Sequence, residues 1–407
     1  MTATLAEPSA RAIRRSPTER LLCACARRAD DANAARLFAD VPWDSVDWAS
    51  VPALLVRHGL QALAVAHLSI VRDRMPGSVW QEIHASAAAA RAASLALSAE
   101  LFRILRRFGE AGLEILPYKG PLLGWEAYGD LGARPSMDLD LLVRPADFDA
   151  AAALLDDLGY RADDELPPAA ARWFRRVDGD YPFEHRETGR LVELHVRTMS
   201  LRFGAGPTTA ELLARSRVVT ISGLRTVIPG TDDLFYLQVV HGAKHRWERL
   251  EWVAATAELL RARRGDVAAL FCRRYPNERA VLLGCRLAAD LLDAPVDAGT
   301  AARMAGDGVV RELADAARHR LFHDARPDDD APGETAAKLR FNFRLQRGVA
   351  ARARFLYRWI VWPSPEDWEQ LRLPAPLFFA YRLTRPVRLL RRYALRSPSL
   401  EPDARHG

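Results

Sequence analysis

The apolar positions between residues 18 and 112 recur every three to four residues, which is the period of an amphipathic helix. One such helical face is formed by Leu60, Leu63, Ala64, Leu68 and Val71. The stretch from Val79 to Phe108 is rich in alanine and contains neither glycine nor proline, so it predicts one long helix. The N-terminal part of the chain is therefore predicted to be entirely helical.

Between residues 112 and 197 the apolar stretches become shorter and are bounded by Gly, Pro and Asp, as is typical of strands and turns. Strands are predicted at 112–116, 138–143, 181–185 and 191–197. Helices are predicted at 122–128 and 147–158, then at 234–245, 250–264, 266–274 and 277–292. The predicted fold class is α+β, with a small mixed β-sheet between N-terminal and C-terminal helical regions. We expect a helical region at 1–110, an α/β core at 111–230, a helical domain at 231–300, and a loop with an aromatic and basic helical tail at 301–407.

Two carboxylates open the most strongly apolar of these strands. Asp138 and Asp140 are one residue apart, so in an extended strand both project from one face while Leu139 and Leu141 take the other. Carboxylate oxygens are the ligands of hard divalent cations such as Mg²⁺, which share them with substrate phosphates. The pair therefore predicts a metal site for phosphate chemistry, although such pairs also occur on solvated turns.

A third carboxylate lies on the strand predicted at 191–197. Glu193 and His195 alternate there with apolar residues, so they share one strand face. A carboxylate from a neighbouring strand would complete a site for two metal ions of the kind used in phosphoryl transfer. The alternative is an outward-facing glutamate beside a half-buried histidine.

Two basic residues near the predicted metal strand are candidates for phosphate binding. Lys119 and Gly120 form a strand-to-helix turn, where glycine lets backbone N–H groups approach an anion and the helix N-terminus favours negative charge. Arg134 precedes the strand, and its fork of donors matches phosphate oxygens. The alternatives are a surface turn with a solvated lysine and a solvated loop arginine.

The helix predicted at 234–245 carries three further candidates. His241 and His245 are four residues apart and share one helical face, a spacing that suits a metal, but no nearby carboxylate or cysteine completes a zinc site. We expect His241, Lys244 and His245 to line a cleft opposite the carboxylates and to contact phosphates, with plain helix packing as the alternative. Trp247 and Trp252 are expected in the core.

These motifs together resemble the polymerase-β-like nucleotidyltransferase superfamily, and within it the uncharacterised nucleotidyltransferase family 5 domain. The matching features are Lys119-Gly120, Tyr128-Gly129-Asp130, Arg134, the Asp138 to Val143 block, Leu158-Gly159-Tyr160, Glu193-Leu194-His195, and the His241 to Trp252 segment. The resemblance extends over about residues 60–292 and implies that Asp138, Asp140 and Glu193 hold Mg²⁺, as two ions, with Mn²⁺ as a substitute. It also implies that nucleotide and phosphates contact Lys119, Gly120, Arg134, His195, His241, Lys244 and His245.

The implied reaction moves a nucleoside monophosphate from an NTP such as ATP to a hydroxyl acceptor and releases pyrophosphate. The acceptor could be a small molecule, a peptide or a protein. The chain departs from the family at two points, because Lys119-Gly120 replaces the usual Gly-Ser turn and Trp252 is not followed by the usual Asp. Two other functions compete. One is a non-catalytic, antitoxin-like binding module that keeps the fold, and the other is a D-x-D glycosyltransferase, which would need a longer α/β unit before Asp138.

Charge and composition change this picture little. The 407-residue chain has a net charge of +6, which suits an anionic substrate, a nucleic acid or a membrane surface. No signal-peptide-like core and no apolar run of about 18 residues are present, so the cytoplasm is the expected location and no transmembrane segment is expected. The four cysteines are expected to be reduced and packed. Residues 324–334 read as a flexible loop, and the aromatic and arginine clusters at 355–392 predict a helical subdomain with buried aromatics in preference to peripheral membrane contact.

Overall fold

The protein is described by a computed structural model that covers residues 15–31, 33–162, 167–204, 206–263, 267, 277–323 and 333–394. Its N-terminal part consists of helices, as predicted. These are α1 (Pro17–Cys25), α2 (Ala34–Ala39), α3 (Val51–His58), α4 (Gln61–Leu68) and α5 (Gly77–Glu110), with short 3-10 helices at Trp43–Ser45 and Ser69–Arg74. Ser16 and Glu19 form a capping box that starts α1, because each side chain bonds the other residue's backbone N–H. Helix α5 is the long helix that the alanine-rich stretch predicted.

A five-stranded mixed sheet follows α5. Its strands are β1 (Ile115–Pro117), β2 (Asp138–Val143), β3 (Tyr160–Ala162), β4 (Pro182–His185) and β5 (Leu191–His195), in the order β1-β2-β5-β4-β3. Strands β2 and β5 are parallel, whereas the other neighbouring pairs are antiparallel. The α+β class and the mixed sheet are thus confirmed, and β2 has the predicted bounds.

The sheet is buried on the face that carries the apolar residues of its central strands. Leu139, Leu141, Val192 and Leu194 belong to one core cluster with residues of α5 and of α7 (Phe148–Asp157). Helix α6 (Gly120–Tyr128) connects β1 to the loop before β2. Because apolar and acidic residues alternate along β2 and β5, burying this face directs their carboxylates to the opposite one.

Several elements of the core were not predicted. They are β3, α8 (Pro168–Asp178), α9 (Thr209–Ala214) and a hairpin of β6 (Arg217–Ile221) and β7 (Leu224–Ile228). The hairpin turns at Ser222 and Gly223, whose φ angles of 50° and 81° are those that a tight two-residue hairpin turn requires. An alternating apolar pattern on both sides of a Ser-Gly dipeptide was the available signal.

Helices again form the region after the hairpin. They are α10 (Thr231–Lys244), α11 (Leu250–Ala262), α12 (Glu278–Leu292), α13 (Ala298–Gly306), α14 (Gly308–Phe322) and α15 (Glu334–Leu345). Trp247 is fully buried among them and Trp252 nearly so, as predicted. Gly242 provides the space for Trp247, since a Cβ atom there would lie 2.7 Å from the indole ring. The helix predicted at 266–274 and most of the loop predicted at 324–334 lie outside the described residues.

The chain ends in a small helical tail. It consists of α16 (Val349–Val361), α17 (Pro365–Gln370), a 3-10 helix (Ala375–Ala380) and α18 (Tyr381–Ala394). Among the described helices, none combines the length and the apolar character needed to cross a membrane. Cys23, Cys25 and Cys285 are buried free thiols, as expected, and Cys272 lies outside the described residues.

Candidate active site

The parallel pairing of β2 with β5 brings two predicted carboxylates side by side. Asp140 lies opposite Glu193 in the register, and Asp138 lies opposite Leu191 at the beginning of both strands. Side chains that face each other across neighbouring strands on the same face are within contact distance. A register shifted by one residue would have placed Glu193 in the core, so the buried leucines and valines of both strands fix this pairing.

Asp140, Glu193 and His195 form a compact cluster of possible metal ligands. One ligand atom from each lies within 4.8 Å of the others. The His195 Nε2 atom is 3.1 Å from Asp140 Oδ1 and 3.2 Å from Glu193 Oε2. Asp140 and His195 are buried, whereas the side chain of Glu193 is 38% exposed and opens the cluster to solvent. Two carboxylates and an imidazole at this separation suit a divalent cation.

Asp138 is not one of the three residues of that cluster. It is half-buried on the same strand face as Asp140, at the open end of β2. Burial, together with the negative charges of Asp140 and Glu193, raises the pKa of Asp138 to about 6. The rise reports electrostatic coupling between all three carboxylates, so Asp138 belongs to the surroundings of the cluster and its role as a ligand stays a prediction.

Lys119 places a positive charge on the cluster. It is the residue that precedes α6, and its Nζ atom lies 2.6 Å from Asp140 Oδ1. Gly120 follows with a φ of +60°, and a Cβ atom there would lie 3.3 Å from the carbonyl oxygen of Asp138. Glycine at this turn therefore allows β2 and the start of α6 to approach each other closely. The turn predicted for phosphate lies beside the carboxylates, with its lysine already paired to one of them.

The charges of the cluster stabilise one another. Burial alone would raise the pKa of Asp140, but Lys119 and His195 outweigh it and hold that pKa well below its ordinary value. Burial alone would lower the pKa of Lys119, but the carboxylate of Asp140 outweighs it and raises that pKa. The pKa of His195 is also raised, because its hydrogen bonds to Asp140 and Glu193 outweigh its burial. Asp140 is therefore ionised and Lys119 is charged at neutral pH.

A cleft of about 980 Å³, part of it open to solvent, runs from the cluster towards the C-terminal helices. Glu193, His195 and Lys119 line its inner end, and His241 and Lys244 of α10 line its opposite wall. Burial and the neighbouring charge of Lys119 lower the pKa of both His241 and Lys244. His241 and Lys244 therefore stand where the sequence predicted them, facing the carboxylates.

His245 and Arg134 have other surroundings. His245 follows the last residue of α10, is not among the residues that line the cleft, and stacks against His241 and Trp252 at ring distances of 4.8 Å and 5.5 Å. Arg134 is buried, and its Nε atom donates to Glu251 Oε1 at 2.6 Å. Neither residue is brought to the cleft, so their contact with phosphate is a prediction that this geometry does not support.

Two acids in the cleft were missed by the sequence reasoning. Asp178 and Asp180 line the wall beside β4, and Asp178 accepts a hydrogen bond from Ser200 Oγ at 3.0 Å and pairs with Arg202. They form a second Asp-x-Asp pattern directly before the strand predicted at 181–185, which is the same signal that identified Asp138 and Asp140. The signal was present but was not used.

Comparison with known proteins gives one match. A family model described as "Uncharacterised nucleotidyltransferase" matches residues 44–293. Neither the curated proteins nor the solved structures include a significant match. The matched segment contains the whole Lys119, Asp140, Glu193 and His195 cluster, whereas Asn342, Leu345 and Gln346, which close one side of the cleft, lie beyond it.

Proposed function

The chain belongs to the family of uncharacterised nucleotidyltransferases, since the match at residues 44–293 covers more than half of its 407 residues, and on this premise we propose that it is a metal-dependent nucleotidyltransferase. In the proposed reaction a hydroxyl oxygen of the acceptor bonds to the α-phosphorus of an NTP. The bond from that phosphorus to the oxygen bridging to the β-phosphate breaks, and pyrophosphate leaves with the electron pair. The acceptor's hydroxyl proton passes to a carboxylate of the site.

The observation that carries this proposal is the pairing of Asp140 with Glu193 across two parallel strands at the inner end of a cleft. Their carboxylates, with Asp138 at the strand end, are the groups that would hold Mg²⁺ or Mn²⁺. A bound divalent cation would neutralise the triphosphate and the charge that develops on the leaving pyrophosphate. The oxygen donors fit Mg²⁺ in particular.

Each of the remaining residues has a role that follows from its position. Glu193 is the carboxylate most exposed to the cleft, so we assign to it the acceptance of the hydroxyl proton. Lys119 and Lys244 lie on opposite walls and are placed to contact phosphate oxygens. Because Lys244 is held in a buried site beside Lys119, a polyanion that enters between them relieves their mutual repulsion.

His195 has the geometry of a positioning residue. Its Nε2 atom lies between Asp140 and Glu193 at almost equal distances, so a single N–H can be shared by both carboxylates. Mg²⁺ prefers oxygen ligands to imidazole nitrogen. We therefore propose that His195 orients the two carboxylates, in place of the phosphate contact that the family resemblance implies.

The proposal is tested by incubating the purified protein with each of the four common NTPs labelled at the α-phosphate, a cell extract as the source of acceptors, and Mg²⁺ or Mn²⁺. Label should enter an acceptor only with a divalent cation present. Asp140→Asn and Glu193→Gln should each lower this transfer at least about a hundredfold. Glu184→Gln, an exposed glutamate on the adjacent strand β4, is the matched control and should transfer normally. Unchanged transfer in both site variants would rule out the assignment.

A non-catalytic binding module is the second candidate, and one observation favours it. The ammonium group of Lys119 already neutralises Asp140 at 2.6 Å, so the cluster is stable without a cation. Folded wild-type protein that gives no labelled product with any of the four nucleotides, in either metal, would favour this module over the enzyme.

A further inference from the structure

The last helix of the described chain faces the protein with its charged side. Arg385 of α18 is buried, and its NH1 atom lies 2.7 Å from Asp367 Oδ2. Arg388, one turn further, places its Nε atom 2.5 Å from Asp367 Oδ1. Asp367 is itself buried at the start of α17. These two arginines fix the rotation of α18 about its own axis.

The opposite side of α18 is apolar and faces solvent. Leu383, Val387 and Leu390 are spaced by four and three residues, so they form one stripe along the helix. Their exposed fractions are 69%, 49% and 64%. An amphipathic helix of a globular protein normally buries such a stripe and leaves its arginines in water. Here the arrangement is reversed, which leaves the stripe without a protein partner among the described residues.

Neighbouring elements extend this apolar exposure. Helix α16 and the 3-10 helix at Ala375–Ala380 both pack against α18 and also expose large apolar side chains. We call the set the tail surface, and it consists of Val349, Leu356, Ile360, Leu377, Phe379, Leu383, Val387 and Leu390. A concentration of exposed apolar residues in one small subdomain marks an interaction site, whereas scattered single residues do not.

The charge of the tail selects the kind of partner. Neither α16 nor α18 contains an aspartate or a glutamate. Arg354, Arg372, Arg382 and Arg391 are exposed on the same elements or next to them. A second copy of the chain would bring the same positive charge to the contact, and like charges oppose association. Nucleic acid would satisfy the arginines but would leave the aliphatic stripe in water.

An anionic membrane surface satisfies both features. Aliphatic side chains enter the boundary between head groups and acyl chains, and flanking arginines pair with anionic head groups. We propose that the tail surface docks this protein on anionic membranes as a peripheral protein. The expectation that the aromatics of this region are buried holds for Phe355 and Phe378, but Phe379 is 60% exposed and joins the docking surface.

The tail surface is attached to the wall of the cleft. Phe378 and Tyr381 pack on Ala170 and Phe174 of α8, the helix whose last residue, Asp178, lines the cleft. A docked protein would therefore hold its cleft in a defined position relative to the membrane. Docking does not depend on nucleotidyl transfer, and it can be measured whether or not the protein is an enzyme.

The test uses flotation of the full-length protein with two kinds of vesicle. One kind is phosphatidylcholine alone, and the other contains equal parts of phosphatidylcholine and phosphatidylglycerol. The wild-type protein should float with the anionic vesicles only. The triple variant Leu383→Glu, Val387→Glu, Leu390→Glu should lose at least about tenfold in partitioning. Ile70→Glu, which changes a 79% exposed residue far from the tail in sequence, is the matched control and should float like the wild type.

A second pair of variants tests the charge. Arg382→Ala and Arg391→Ala should each weaken binding to anionic vesicles about fivefold, and added salt should have the same effect. Wild-type protein that fails to float with anionic vesicles, or a triple variant that floats as well as the wild type, overturns the proposal. Light scattering that shows a wild-type dimer, dispersed by the triple variant and without vesicle binding, overturns it in favour of self-association. Circular dichroism checks that each variant is folded.

Discussion

Replacing Arg134 by methionine should destabilise the fold without acting on the nucleotide. The Arg134 Nε atom donates to Glu251 at 2.6 Å, and its NH1 atom donates to Ser136 Oγ at 3.1 Å. Both partners of the ion pair are buried, Arg134 at 7% exposed and Glu251 at 3%. The pair joins the loop before β2 to α11, across 117 residues of sequence. The Arg134→Met variant therefore leaves the carboxylate of Glu251 buried without a counter-ion.

The expected loss is large because desolvation, more than the lost attraction, sets it. Removing one partner of a buried ion pair costs about 3–5 kcal/mol, whereas replacing both partners by apolar residues is often close to neutral. The double variant Arg134→Met, Glu251→Leu should therefore recover most of the stability. Arg107→Met is the matched control, since the Arg107 and Glu110 side chains are both about half exposed. An exposed pair of this kind contributes less than about 1 kcal/mol.

Urea unfolding followed by tryptophan fluorescence measures the free energy of unfolding of these variants. The reasoning is refuted if Arg134→Met lies within about 1 kcal/mol of the wild type, or if the double variant is no more stable than the single one. A raised KM for the NTP with unchanged stability would instead show that Arg134 binds phosphate, as the family resemblance implies.

Three further predictions follow from single residues. Burial lowers the pKa of His58 to about 3, so below its ordinary pKa of 6.5 the unfolded chain takes up a proton that the folded chain refuses. Urea unfolding should show a stability about 2 kcal/mol lower near pH 5 than near pH 8, and His58→Gln should remove this part of the pH dependence. Gly242→Ala should cost at least about 1–3 kcal/mol in the same assay, because its Cβ atom would lie 2.7 Å from the Trp247 ring; a loss well below 1 kcal/mol would show that the ring can move aside. Lys119→Met should tighten Mn²⁺ binding at least about threefold in calorimetry, because it removes the positive charge beside Asp140, and should lower nucleotidyl transfer; unchanged Mn²⁺ affinity would contradict this.

The sequence was sufficient wherever the relevant pattern is local. Strand β2 was predicted with its observed bounds because alternation of apolar and acidic residues is visible within six positions. The same alternation placed Glu193 and His195 on one face of β5, as the structure has them. The helical N-terminal part and α6 were also predicted, since their patterns need no distant partner.

Prediction failed where the outcome depends on residues far apart in sequence. The partner of Arg134 is 117 positions away, and no local pattern identifies it. His245 was expected in the cleft with His241, but α10 ends at Lys244, and the turn that follows takes His245 off the helical face. The registry of β2 with β5 places Asp140, not Asp138, opposite Glu193. Such pairings are set by packing of the whole core.

The central claim is that the protein transfers a nucleoside monophosphate, and the fate of two labels tests it most directly. Parallel reactions would contain the same NTP labelled either at the α-phosphate or at the γ-phosphate, with the wild-type protein and with Asp140→Asn. The account predicts the α-label on the acceptor and the γ-label in released pyrophosphate, with both lost in the variant. A γ-label on the acceptor, or equal transfer by the variant, would contradict it.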